Sequence, residues 1–183
     1  MIIMADELID IYNENNKFLR KKLKSKAHRE GLWHRSAQIW IYNKKGQLLV
    51  QLRAKDKALF PDTWDISVAG HVSSGEEPIN TAIKEIKEEI ELNIKKTDLE
   101  FVKIRKNSMK YKDLVNNEHG YVYLLDYEGN IKDLRLQKEE VQEIRFLDID
   151  QVEKELINSQ RKYVPLGKYW DEMIAEIRKR LSK

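Results

Sequence analysis

The sequence predicts one mixed α/β domain, with strands on both sides of a central helix. Three observations predict it. Ile79, Ala82, Ile83, Ile86 and Ile90 recur at offsets of 0, 3, 4, 7 and 11, an apolar stripe about 100° wide at helical pitch. Short segments rich in β-branched and aromatic residues stand before and after that stripe. No internal repeat, low-complexity tract or proline- or glycine-rich linker divides the 183 residues, a length that suits a single domain.

The elements follow in order. Glu7 to Tyr12 alternates as a strand, and Asn13, Glu14, Asn15 and Asn16 supply turn residues. His34 to Tyr42 and Leu48 to Leu52 flank Asn43-Lys44-Lys45-Gly46-Gln47, a hairpin with Gly46 at the positive-φ position. Further strands are expected at Trp64 to Val68, Phe101 to Arg105, Tyr121 to Asp126 and Val141 to Leu147. Pro78 opens the first helix, where a missing N–H is of no consequence. A second helix runs from Lys168 to Leu181 with Trp170, Met173, Ile174, Ile177 and Leu181 as its buried face, and Asp150 to Asn158 adds a short one. Residues 1–30 then form an N-terminal strand and a basic arm, 70–92 a loop and helix, and 168–181 the C-terminal helix.

Hydrophobic residues are 41% and charged residues 36% of the chain, a globular composition richer in charge than the usual quarter. There is no cysteine, which excludes disulfides, thiolate metal ligands and a cysteine nucleophile. A net charge of +3 gives no ground for a nucleic-acid polymer or a membrane as partner. Met1-Ile2-Ile3-Met4 is followed by Asp6, Glu7 and Asp10 without a basic leader, and no run approaches the roughly 18 apolar residues of a membrane span. A soluble, cytoplasmic protein is expected. The charge is unevenly placed: seven basic residues and no acid lie between Lys17 and Arg29, and six Glu lie between Glu76 and Glu91. Solvated faces account for most such runs.

On the first helix Glu85, Glu88 and Glu89 sit at i, i+3 and i+4, so three carboxylates share one face beside the isoleucine stripe. Like charges at this spacing repel, and hard divalent cations such as Mg²⁺, which take oxygen ligands, would relieve them. The preceding loop, Gly70-His71-Val72-Ser73-Ser74-Gly75-Glu76, leads from a predicted strand into that helix. Together Gly70, Glu76, Glu85, Ile86, Glu88, Glu89 and Leu92 match seven of the nine fixed positions of G-x5-E-x7-R-E-U-x-E-E-x-G-U, where U is bulky and aliphatic. This resembles the signature of the Nudix hydrolases.

The resemblance implies a Nudix-type α/β/α sandwich with a mixed central sheet, and Mg²⁺-dependent cleavage, or Mn²⁺-dependent, of a small organic diphosphate. By position Glu85, Glu88 and Glu89 bind the metals, Gly70 adds its carbonyl and Glu76 braces the loop. Glu118, a loop residue just before a strand, is the candidate further ligand or base, and Glu88, Glu118 and Lys84 are the candidate catalytic residues. Two positions depart from the signature. Lys84 stands for an Arg that orients a metal-binding Glu, keeping the charge without the planar fork. Glu91 stands where a left-handed Gly would end the helix, at a cost of about 1 kcal/mol if that conformation is kept.

Gly31-Leu32-Trp33-His34-Arg35, Gln51-Leu52-Arg53, Phe60-Pro61, Trp64 and Gly70-His71 are similar to isopentenyl-diphosphate isomerase. That enzyme places its catalytic Cys directly before the Gly-His pair; here Ala69 takes the position. Hydrolysis is therefore favoured over isomerisation, with a non-catalytic diphosphate-binding protein and an isomerase-like enzyme as the alternatives. Arg53 and Lys57 match basic positions that hold the diphosphate in the isomerases. Those enzymes bind a metal through histidines near three of the four positions His28, His34, His71 and His119. Here a structural role is preferred for His28 and His119, while His34 and His71 remain site-lining candidates. Lys103 to Asn117 and Gln160 to Gly167 are the expected specificity segments. A homodimer is the class expectation, with the strand Glu7 to Tyr12 available to pair across it.

Overall fold

The structure, a computed structural model, describes residues 6–158 and 161–182, so Met1 to Met4 lie outside the described residues. In chain order the elements are β1 (Leu8–Tyr12), β2 (Phe18–Leu23), α1 (Lys24–Glu30), β3 (Trp33–Asn43), β4 (Gln47–Arg53), β5 (Trp64–Asp65), β6 (Val68–His71), α2 (Pro78–Ile90), β7 (Leu99–Tyr111), β8 (Leu114–Asp126), β9 (Val141–Asp148), α3 (Ile149–Asn158) and α4 (Tyr169–Leu181). All the strands belong to one sheet ordered β2-β1-β3-β4-β5, with β6 and β8 also paired to β3, β7 to β8 and β9 to β4. The sheet is mixed: β3 runs parallel to β8, and the other strand pairs are antiparallel.

β3 is apolar on both faces because helices cover both. Ile39 and Ile41 pack with Val68, Ile86 and Ile90 under α2. Trp40 and Tyr42, pointing the other way, pack with Val122, Leu124, Trp170, Met173, Ile174 and Ile177 under α4. Trp40 Nε1 donates to the Tyr169 hydroxyl at 3.0 Å, which pairs the polar edge of the largest core side chain. Two such cores on one sheet make the α/β/α sandwich, and the isoleucine stripe of α2 is its inner seam. No helix among the described residues is long and apolar enough to cross a membrane.

Several expectations change. The basic arm is ordered as β2 and α1. β2 is an exposed edge strand carrying Arg20, Lys21 and Lys22, a charge pattern that discourages further pairing. β1 is paired by β2 on one side and by β3 and Ser73 on the other, so its backbone is used within the chain and does not offer an edge to a dimer partner. Lys103 to Asn117 is not a loop: most of it forms the β7–β8 hairpin, which projects past the core and is therefore polar on both faces. Glu118 accordingly lies inside β8, not in a loop before a strand. The expected strand Trp64 to Val68 divides into β5 and the start of β6.

Candidate active site

α2 carries Glu85 and Glu89 toward the sheet. Glu89 is 4% exposed and accepts a 3.1 Å hydrogen bond from Gln51 Nε2 on β4. The Glu85 carboxylate lies directly over Gly70, where a Cβ would overlap its carboxyl carbon. Only glycine permits that approach. Burial, with the charge of Glu88 next, pushes Glu85 up to about 7. Burial and the Glu85 charge hold Glu89 well above the usual carboxylate range. Glu88 and Lys84 are exposed on the adjoining surface, and Lys84 adds a positive charge near Glu85.

The loop into α2 is held at several points. Glu76 accepts from Thr81 Oγ1 at 2.8 Å, tying the loop to the first helical turn. β1 holds the loop from below: Ser74 N–H donates to Leu8 O at 2.9 Å and Gly75 N–H to Asp10 Oδ2 at 3.0 Å. At the other end of α2, Glu91 adopts φ 57°, the left-handed conformation that the signature reserves for Gly. The carbonyls of Glu89 and Ile90 accept from the N–H groups of Gln137 and Arg135, so the helix end is satisfied by the chain before β9.

Gly70 faces α2, so its neighbour His71 faces the other side of the sheet. There His28, His34 and His71 bring ring nitrogens within 4.8 Å of one another. Glu118 Oε1 lies 3.9 Å from His34 Nε2 and 3.8 Å from His71 Nε2, and the Glu118 side chain is buried. His34 Nδ1 donates to Leu32 O at 2.9 Å, which fixes the tautomer and leaves Nε2 as a shielded lone pair with no hydrogen-bond partner. Burial lowers His28 and His34 to about 4 and His71 well below its ordinary value, so the three imidazoles are neutral at pH 7. Burial raises Glu118.

A structural role is expected of His28; the structure sets its ring in the cluster with His34 and His71. α1, which places it, is short and ends on left-handed Gly31, and the six-residue interval to His34 was its sole trace in the sequence. His119 lies outside the cluster, with Nε2 at 2.9 Å from Asn13 O and its ring against Trp33. Arg53 is spent on its own chain: Nη1 donates to Asp65 at 2.9 Å, and Nε and Nη2 donate to the carbonyls of the Leu59–Phe60 turn. Lys57 pairs with Glu140, and its charge still reaches Glu89.

Residues 32–167 match the family of NUDIX domains. An uncharacterized Nudix hydrolase of Listeria innocua is 32% identical over 159 residues, which cover 85% of this chain and 87% of that protein. The chain belongs to the Nudix hydrolase family. Nudix hydrolase 3 of Arabidopsis thaliana is 33% identical over 168 residues, 88% of this chain; the matched part spans only 22% of the plant protein. A weaker likeness, 26% over 163 residues, links this Nudix protein to the isopentenyl-diphosphate Delta-isomerase of Serratia proteamaculans, with 86% of each chain covered. The solved structure of DR0079 from Deinococcus radiodurans shares the fold, with a TM-score of 0.70 and 22% identity over 93% of this chain and 98% of that one.

Proposed function

We propose that this Nudix protein hydrolyses a diphosphate linkage in a small organic diphosphate, a nucleoside diphosphate linked to another group or a related compound, with Mg²⁺ or Mn²⁺ held by Glu85, Glu88, Glu89 and the Gly70 backbone. One observation carries the reading: Glu89 is buried and Glu85 half-buried one turn apart on α2, and burial raises both pKa values, helped by the charge of Glu88 at Glu85 and of Glu85 at Glu89. An added cation favours the anionic form of such a pair, and an all-oxygen donor set fits a hard divalent one. When bound, that ion polarises phosphoryl oxygens and lowers the pKa of a coordinated water. The protein's own residues prepare the site. Gln51 orients Glu89, Gly70 makes room for Glu85, and Lys57 brings positive charge toward Glu89.

The imidazole cluster supports a second cation site of different character. His28, His34 and His71 are neutral nitrogen donors, one with an unclaimed lone pair, and Glu118 adds a carboxylate within 4 Å of two of them. That set suits Zn²⁺ or Mn²⁺ better than Mg²⁺. With Ala69 in place of the isomerase thiol and no cysteine elsewhere, the chain has no thiol for proton transfer to carbon.

The test is an assay with Mg²⁺ or Mn²⁺ against nucleotide sugars, dinucleoside polyphosphates, dinucleotides and prenyl diphosphates, with Glu89→Gln as the control. Hydrolysis that the substitution abolishes supports the reading. Tight binding without turnover across the panel would replace it with a ligand-binding role.

A further inference from the structure

On the α4 face of the sheet, beside the histidines, one arginine has a solvent-shielded guanidinium nitrogen with no hydrogen-bond partner. Strand register sets the place. His34, Glu118 and Asn107 form one row across β3, β8 and β7, and Ser36, Gly120 and Arg105 form the next. Alternation puts these side chains on the face of Val122 and Leu124, under α4. The Arg105 guanidinium lies 4.0 Å from the centroid of the Tyr169 ring. Its Nη1 is shielded from solvent and has no hydrogen-bond partner, and no carboxylate pairs with it among the described residues. Arg53, Arg135, Arg145, Arg161, Arg178 and Arg180 each hold a carboxylate.

Two neighbours are unsatisfied in the same way. Asn107 Nδ2 and Gln38 Oε1 are shielded and have no partners. The Gln38 amide reaches its place because Gly120 has no side chain: a Cβ there would lie 2.6 Å from Gln38 Nε2. Glu118 and Glu172 act on Arg105 only through their longer-range charge, and Glu118 is nearer to His34 and His71. A charged donor and an amide donor, half-buried and unpaired in adjacent rows, are the equipment for an oxyanion. An apolar tail in this place would leave both donors unpaired.

We propose that Arg105 and Asn107 form an oxyanion-binding subsite for a carboxylate or phosphate group. The anion site stands independently of the hydrolase reading.

The experiment therefore uses the full chain treated with EDTA, so that neither metal nor turnover enters. Thermal melts are recorded with inorganic phosphate or acetate against chloride at equal ionic strength, for wild type, Arg105→Met and Arg105→Lys. One of the two anions is expected to raise the wild-type melting temperature in a saturable way, and the one that does so identifies phosphate or carboxylate as the ligand. Arg105→Met is expected to abolish that response while melting no lower than wild type without anion, because it removes an uncompensated cation. Arg105→Lys is expected to keep a weaker response, which preserves the test if the methionine variant does not fold. Absence of a saturable response in wild type to either anion overturns the proposal. So does a response that survives in Arg105→Met, or one that Arg105→Lys loses entirely. If the assays detect no hydrolysis while the anion response holds, the substrate reading fails and the site stands.

Discussion

Gly70 and His71 are consecutive on β6 and serve opposite faces of the sheet: the Glu85 carboxylate rests on Gly70, and His71 Nε2 lies 3.1 Å from His28 Nε2. One dipeptide thus joins an oxygen-rich site to a nitrogen-rich one. Gly70→Ala should separate them. Its Cβ would displace Glu85, and a displacement on the order of 1 Å costs about 100-fold in rate. Hydrolysis is expected to fall by about that factor while the metal content of the histidine site, read by elemental analysis, is unchanged. Equal loss of both would mean that the substitution disturbs β6 as a whole.

The acid pair makes stability depend on pH in a defined direction. Glu85 is raised to about 7 when folded, from 4.5, and Glu89 is also held well above its ordinary value. A raised carboxyl favours the folded state fully below the unfolded pKa and loses that contribution as pH rises through the folded value. In metal-free protein the acid pair's contribution should be lost between about pH 5 and pH 8, and Mg²⁺ should restore it. The melting-temperature gain on adding Mg²⁺ should be larger at pH 8 than at pH 5.5, and should disappear in Glu89→Gln. A gain independent of pH would place the ion elsewhere.

The histidines give the opposite slope. His28 and His34 fall to about 4 when folded, from 6.5. Their contribution is present above the unfolded pKa and lost as pH falls toward the folded one. In chelated protein this contribution should be lost between about pH 6.5 and pH 4, against the opposite term of the acid pair. His34→Phe should flatten that limb and remove one equivalent of transition metal; an unchanged metal content would argue against the cluster as a site.

Lys84 is exposed and forms no hydrogen bond among the described residues, so little beyond its charge is in use. Lys84→Arg should alter stability by less than about 0.5 kcal/mol and give an equal or higher rate, through the bidentate geometry open to a guanidinium. A fall in kcat would show a site adapted to lysine.

Glu91 holds φ 57° with only a solvent-exposed 3.6 Å contact to Arg135 in return. Glu91→Gly should stabilise the protein by about 1 kcal/mol, a rise of about 2–4 °C in melting temperature for a domain of this size. No gain would mean that the Arg135 contact matters more than the backbone conformation.

The elements legible in the sequence were those whose pattern is set by burial. α2 and α4 declare themselves through isoleucine and tryptophan at helical spacing, and β3 through an apolar run covered on both faces. β2 and the outer halves of β7 and β8 are exposed, so their residues carry no burial pattern and read as loop. The box acids were visible because they share one helix. The histidine cluster was only half visible, since it draws on α1, β3, β6 and β8 and is assembled by the pairing of β3 with β6 and β8. Arg105 offered no signal: a basic residue in a strand looks the same whether it faces water or the Tyr169 ring.

His28 also has a bearing on where this protein can be cut. The family match begins at residue 32 and ends at 167, yet one imidazole of the nitrogen-rich site comes from α1 before it, and the helix that closes one core, α4, comes after it. A chain trimmed to the matched boundaries would keep every box residue while losing a donor and the cover over Trp40. The family match therefore marks out a smaller unit than the one that closes both cores and assembles the three imidazoles.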